Sequence, residues 1–123
     1  MSESILIVED EQILQDVYKL VLSSKGYTVH TANNGAEGLM QLAAVKPNVV
    51  LLDIFMPVMD GKEFMRNVDM SEYPDTRIIV YTNLSDTKTQ EEMLELGASE
   101  FVLKSSMTPR DLLMLIEKVT SAD

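Results

Sequence analysis

Residues 4–8, 47–52 and 77–81 become continuous apolar runs rich in β-branched side chains once their first residues are passed, and each gives way at once to polar residues. A strand with one solvated face alternates, so runs that do not alternate belong to strands buried on both faces, the pattern of a parallel sheet. Such strands need crossovers between them. Residues 27–31 do alternate and are expected to form an edge strand, with 101–103 a short fifth strand. Between the strands the period becomes helical. Ile13, Leu14, Val17 and Val21 form one stripe; Ala36, Leu39, Met40 and Ala43 a second; Gly61, Phe64, Met65 and Val68 a third; Leu112, Leu115, Ile116 and Val119 a last. Residues 85–96 offer little beyond Met93, Leu94 and Leu96 and should be the least firmly held helix. Gly26 and Gly97 stand where helices should end, and Thr108, Pro109 and Asp111 supply an N-cap, an N1 proline and a capping-box acid. Five strands alternating with five helices, joined by right-handed crossovers, give an α/β, doubly wound parallel sheet with helices on both faces.

With 123 residues, the chain should expose roughly 6,600 Å² when folded, enough for one core, and a single domain over 1–123 is expected. It has no cysteine, which excludes a thiol nucleophile, thiolate metal sites and disulfides and fits a reducing cytosol. No apolar run approaches the ~20 residues of a membrane helix, and Glu3 sits where a secretory leader would carry its basic start, so a cytoplasmic location is expected. Ten Lys plus Arg against twenty Asp plus Glu give a net charge of −10, which argues against direct binding of nucleic acid or membrane. Most of those acids need no role beyond a solvated surface.

In doubly wound sheets the site lies at the carboxyl ends of the strands. There this chain places Glu9, Asp10 and Glu11 after the first strand, Asp53 after the third, Thr82 and Asn83 after the fourth and Lys104 after the fifth. The three acids after strand one have a plain alternative as caps and first-turn acids. Asp53, following four buried aliphatics, is a costly place for an unpaired charge. Asp10 and Asp53 can supply oxygens to Mg²⁺, with Glu9 acting through a metal-bound water. Asp53 can then attack phosphorus to form an acyl phosphate, while Thr82 and Lys104 meet the phosphoryl oxygens.

Ile-Leu-Ile-Val-Glu-Asp-Glu at 5–11, Leu-Leu-Asp-Ile-Phe-Met-Pro-Val-Met-Asp-Gly at 51–61, the strand-end Thr82, Leu-Gly-Ala at 96–98 and Phe-Val-Leu-Lys at 101–104 resemble the receiver domain of bacterial response regulators, of the chemotaxis-regulator type. The resemblance covers essentially the whole chain. It implies a flavodoxin-like fold with strand order 2-1-3-4-5, in a two-component system or phosphorelay. The domain would catalyse its own phosphorylation and dephosphorylation, taking the phosphoryl group from the phosphohistidine of a histidine kinase or histidine phosphotransfer protein. Asp53 is then the acceptor, Asp10 and Asp53 direct Mg²⁺ ligands, Glu9 a ligand through water and Phe55 a ligand through its backbone carbonyl. Thr82 and Phe101 take the hydroxyl and aromatic switch positions. The output would be a downstream effector met by the face of helix four, strand five and helix five.

Lys104 is followed by Ser105 where the family has proline and a cis peptide, and a cis Lys104–Ser105 bond is expected so that the lysine reaches the phosphoryl oxygen. Asn83 replaces a small residue, and Phe101 lacks a phenolic hydroxyl. Phe55 and Leu84, two residues after Asp53 and Thr82, offer water no hydrogen-bonding partner, so slow hydrolysis of the phosphoryl group is expected. His30, the sole histidine, is expected exposed on strand two and away from the rim, so the phosphohistidine must come from another protein. Met93, Met107 and Met114 fall on the output side, where core filling is the default and an adaptable docking surface the alternative. A flavodoxin-type cofactor carrier would need hydroxyls and glycines where Glu9 to Glu11 stand. An aspartyl phosphatase would need an acid at Phe55. The closer rival is a receiver-like interaction module that is not phosphorylated. The receiver itself is expected either to stand alone or to be part of a longer protein.

Overall fold

The computed structural model describes residues 3–83 and 86–121. β1 (Ser4–Val8), β2 (Thr28–Ala32), β3 (Val49–Leu52), β4 (Arg77–Thr82) and β5 (Glu100–Leu103) form one parallel sheet in the order β2-β1-β3-β4-β5. The crossovers carry α1 (Gln12–Ser24), α2 (Gly35–Val45), α3 (Gly61–Asn67) and α4 (Thr87–Glu95), and α5 (Pro109–Ser121) follows β5. Short 3₁₀ turns occupy Met70–Glu72 and Lys104–Ser106. Together these are the doubly wound α/β fold expected from the strand pattern, with the flavodoxin-like strand order that the resemblance implies. The chain exposes 6627 Å², the area one folded chain of this size presents.

Because successive strand residues point to opposite faces, the buried runs divide into two cores. Leu6, Val8, Val50, Leu52, Ile78 and Val80 meet Leu42, Phe64, Met65 and Met93 on one face. Ile5, Ile7, Val49, Leu51, Ile79 and Tyr81 meet Tyr18, Leu22, Leu112, Ile116 and Val119 on the other. Gly26 and Gly97 adopt φ of +95° and +116° just past α1 and α4, the left-handed conformation that favours glycine. Thr108 and Asp111 close a reciprocal capping box, each backbone N–H donating to the other's side chain at 3.1 Å. The stripes expected for α3 and α5 are the buried ones, and α4 buries only Thr89 and Met93.

Two helices are rotated from the expected stripes. In α1 the buried residues are Gln15, Tyr18 and Leu22, while Ile13 is 77% and Val17 40% exposed. Gln15 can face inward because its amide nitrogen donates to the Glu9 carbonyl (2.9 Å), the Ala32 carbonyl (3.4 Å) and Asn33 Oδ1 (3.2 Å). In α2 the buried residues are Gly35, Gly38 and Leu42, and Met40 is exposed. Gly38 is the reason: a Cβ there would stand 3.1 Å from Val8 and Phe64 side-chain atoms, so its bare Cα lets the helix lie close on the sheet. His30 is half-buried in the middle of edge strand β2, opposite Leu6, rather than exposed. Met93 is fully buried core and belongs to no docking surface; Met107 is half-buried and Met114 is 61% exposed.

Candidate functional site at the carboxyl edge of the sheet

Parallel registry sets Val8 beside Leu52 and Leu52 beside Val80, so β1, β3 and β4 end at one rim. The Asp53 N–H donates to the Val8 carbonyl (3.1 Å) and the Glu9 N–H to the Ala32 carbonyl (3.0 Å), extending the sheet's hydrogen bonding into both acids. Asp60 caps α3 by accepting from the Glu63 N–H at 2.9 Å, and the Gly61 N–H donates to the Ile54 carbonyl at 2.8 Å. A Cβ on Gly61 would collide with the Asp53 carbonyl. The loop between β3 and α3 is therefore pressed against the backbone of Asp53, and within it Val58 adopts a φ of +69°, a strained conformation for a β-branched residue.

Glu9, Asp10 and Asp53 can each offer one carboxylate oxygen to a common point, these atoms lying within 4.8 Å of one another. Lys104 Nζ bridges two of the three acids, 2.7 Å from Glu9 Oε1 and 3.0 Å from Asp53 Oδ2. Glu9 is fully buried and Asp53 only 5% exposed, while Asp10 faces solvent. Burial pushes the Asp53 carboxyl up from 3.8 to about 6; the Lys104 ammonium opposes this and the Glu9 charge adds to it. Asp10 is raised as well, first by desolvation and then by its hydrogen bond and repulsion with Glu9. Burial pulls the Lys104 ammonium down, yet its bonds and attraction to Glu9 and Asp53 outweigh that and hold it above the ordinary lysine value. Two carboxyls raised by burial and neighbouring charge, with oxygen donors from Glu9, Asp10 and Asp53 converging, suit a divalent cation of the Mg²⁺ type.

The expected rim is assembled in Glu9, Asp10, Asp53 and Lys104, and capping alone does not account for Glu9, whose Oε1 takes Lys104 Nζ at 2.7 Å. Its Oε2 accepts the Glu11 N–H at 3.0 Å and its side chain lies wholly inside. Glu11 takes the N-cap position of α1 without a side-chain cap bond. Thr82 is fully buried at the end of β4, paired in register with Leu103, and Phe101, half-buried, pairs with Val80 and packs against the α2–α4 core. Phe55 is 62% exposed in the loop after Asp53, and Leu84 lies outside the described residues. No cis peptide occurs among the described residues, so the Lys104–Ser105 bond is trans, contrary to expectation. The 3₁₀ turn at Lys104–Ser106, closed by the Met107 N–H on the Lys104 carbonyl at 3.2 Å, redirects the chain instead. Lys104 still reaches Asp53.

Tyr81 belongs to the site although the sequence presents it only as one member of an apolar run. Its hydroxyl donates to Glu9 Oε1 at 2.8 Å, and the Lys104 ammonium stands 5.1 Å from its ring centre. The one sequence signal is a phenol in a strand buried on both faces, which must find a partner for its hydroxyl.

The response regulator receiver domain family matches residues 5–117. Among relatives, the probable C4-dicarboxylate response regulator DctR of Halalkalibacterium halodurans is 34% identical over 81% of this chain and 44% of its own length. Protein-glutamate methylesterase/protein-glutamine glutaminase 3 of Hahella chejuensis is 40% identical over 76% of this chain and 28% of its own. The chain thus spans less than half the length of these two curated relatives. Among solved structures, a CheY-like receiver domain protein from Methanospirillum hungatei superposes with a TM-score of 0.88 at 32% identity, covering 97% of this chain and 94% of that one. Chemotaxis protein CheY4 of Vibrio cholerae does so with a TM-score of 0.88 at 30% identity, covering 97% and 99%. With fold, rim and family match in agreement, this chain belongs to the response regulator receiver domains, the phosphoacceptor domains of two-component signalling.

Proposed function

We propose that Asp53 is the phosphoacceptor and that Glu9, Asp10, Thr82 and Lys104 serve it. The observation that carries this reading is the convergence of the three carboxylates within 4.8 Å, with Lys104 Nζ 3.0 Å from Asp53. Receiver domains bind Mg²⁺ in an acidic pocket. In this chain Asp10, Asp53 and the Phe55 carbonyl would hold the ion directly and Glu9 through water. The ion would supply positive charge between carboxylates and phosphoryl oxygens. Asp53 attacks the phosphorus of a phosphohistidine; the new bond is Asp53 Oδ to phosphorus, and the bond that breaks is phosphorus to imidazole nitrogen, whose electron pair stays with the imidazole. Lys104 pairs with one phosphoryl oxygen and the Thr82 hydroxyl donates to another.

Receiver domains act with histidine kinases and effector domains. His30, the only histidine here, sits in mid-strand on β2, so the donor is a histidine kinase or phosphotransfer protein. Movement of Thr82 toward the phosphoryl group, with Phe101 following, would remodel the face of α4, β5 and α5 for an effector. The net charge of −10 favours a protein partner over nucleic acid or an anionic membrane. No helix among the described residues is long and apolar enough to cross a membrane, which accords with the cytoplasmic location proposed here. One receiver domain over 1–123 accords with the family match. Intact mass after incubation with Mg²⁺ and acetyl phosphate tests the reading: one phosphoryl adduct on the wild type and none on Asp53→Asn is expected. An adduct that persists in Asp53→Asn moves the site elsewhere, and no adduct on either protein favours the unphosphorylated interaction module.

A further inference from the structure

Glu9 is a fully buried carboxylate held by three donors. Oε2 takes the Glu11 N–H at 3.0 Å; Oε1 takes both Lys104 Nζ at 2.7 Å and the Tyr81 hydroxyl at 2.8 Å. Lys104 therefore serves two anions at rest, Glu9 and Asp53, and a third appears when a phosphoryl group arrives on Asp53. An ammonium that turns toward the phosphoryl oxygens must loosen its hold on Glu9, and a buried carboxylate deprived of donors is costly. Tyr81 is placed to limit that cost. It precedes Thr82 in β4 but points to the opposite face, into the α1–α5 core, where its ring is fully enclosed and braced edge-on by Tyr18 at 5.9 Å and 62°. A ring so fixed keeps its hydroxyl aimed at Oε1 whatever Lys104 does, and presents to the ammonium an aromatic group 5.1 Å from its centre.

We propose that Tyr81 is a positioning residue for phosphoryl uptake: its hydroxyl keeps Glu9 hydrogen-bonded while Lys104 transfers from Glu9 to the phosphoryl oxygens. The proposal rests on Asp53 being the acceptor. With acetyl phosphate as donor, the bond from Asp53 Oδ to phosphorus forms, the bond from acetyl oxygen to phosphorus breaks, and its electron pair leaves with acetate. Lys104 and Tyr81 both keep their protons; only the hydrogen-bond partners of Lys104 change.

The test follows adduct formation by intact mass at saturating Mg²⁺ in wild type, Tyr81→Phe, Glu9→Gln and the double variant, with Tyr18→Phe as control and calorimetric titration of each with Mg²⁺. Tyr81→Phe keeps the ring and its packing. It is expected to slow uptake about tenfold, the scale of one hydrogen bond to a charged group, with Mg²⁺ affinity no weaker than wild type. In the Glu9→Gln background, where the buried charge is gone, the same change should alter the rate by less than about twofold, as should Tyr18→Phe in the wild type. An unaltered rate in Tyr81→Phe overturns the proposal. So does an equal slowing with Glu9 present and with Glu9→Gln, or a loss of Mg²⁺ affinity that matches the slowing, because each describes a merely loosened structure. Absence of any adduct on the wild type is a different failure: it removes the Asp53 reading, and this proposal with it.

Discussion

Replacing Asp53 with asparagine should stabilise the protein at neutral pH, by an amount set by the burial of the carboxylate. Asp53 is 5% exposed and its carboxyl is raised from 3.8 to about 6, chiefly by burial, even with Lys104 3.0 Å away. The folded chain therefore binds more protons than the unfolded chain between those two values, so stability falls as pH rises through that window and is level above it. The attraction of Lys104 is already contained in the raised value, so what remains is the net cost of ionisation, about 3 kcal/mol at pH 7.5 and roughly half of that at pH 5. Asparagine keeps an oxygen for Lys104 and carries no charge. Urea denaturation of wild type and Asp53→Asn, both stripped of divalent ions, should give a difference near 3 kcal/mol at pH 7.5 that roughly halves at pH 5. Saturating Mg²⁺ should narrow the gap by stabilising the wild type. A variant no more stable than wild type at pH 7.5, or a gap that does not shrink at pH 5, would refute the assignment of the cost to the buried charge.

Mg²⁺ should raise the melting temperature of the wild type, since Asp10 and Asp53 are both raised by their surroundings; equal stabilisation of Asp10→Ala would show that Asp10 is no ligand. Val58, at φ +69° and 82% exposed, should be relieved by Val58→Asn, with a gain of about 1 kcal/mol in urea denaturation, and a loss would show that its side chain is needed. Gln15→Ala should cost about 1 to 3 kcal/mol by withdrawing the donor that serves the Glu9 carbonyl, a loss that circular dichroism melts would detect and that unchanged melts would contradict. Phe55, two residues after Asp53 and 62% exposed, offers water no hydrogen-bonding group, so phosphate release should quicken at least about twofold in Phe55→Asn; equal rates would end the shielding argument.

What can be read from the chain and what cannot divide along the range of the interaction. A strand that stops being apolar announces both its own end and the polar residue that stands there, so Glu9, Asp10, Asp53, Thr82 and Lys104 are identifiable before their neighbours are known. Helix rotation is less local. α1 carries apolar residues on more than one side, Ile13 and Val17 as well as Leu14, Tyr18 and Leu22, and periodicity alone does not say which side faces in. The choice is made by acceptors at the ends of β1 and β2 that take the Gln15 amide, and in α2 by the absence of a side chain at Gly38 where Val8 and Phe64 crowd it. The Lys104–Ser105 bond departs from expectation because the lysine's reach does not depend on a cis peptide: a trans 3₁₀ turn brings its ammonium to the same acids. Tyr81 is the furthest case. Its hydroxyl pairs with a residue 72 positions away, and in an apolar strand its ring conceals the one polar atom that matters. A buried tyrosine next to a strand-end hydroxyl is thus a local sign of a distant partner: the phenol must be satisfied, and at a rim that collects carboxylates its partner is an anion whose charge it helps to hold in place.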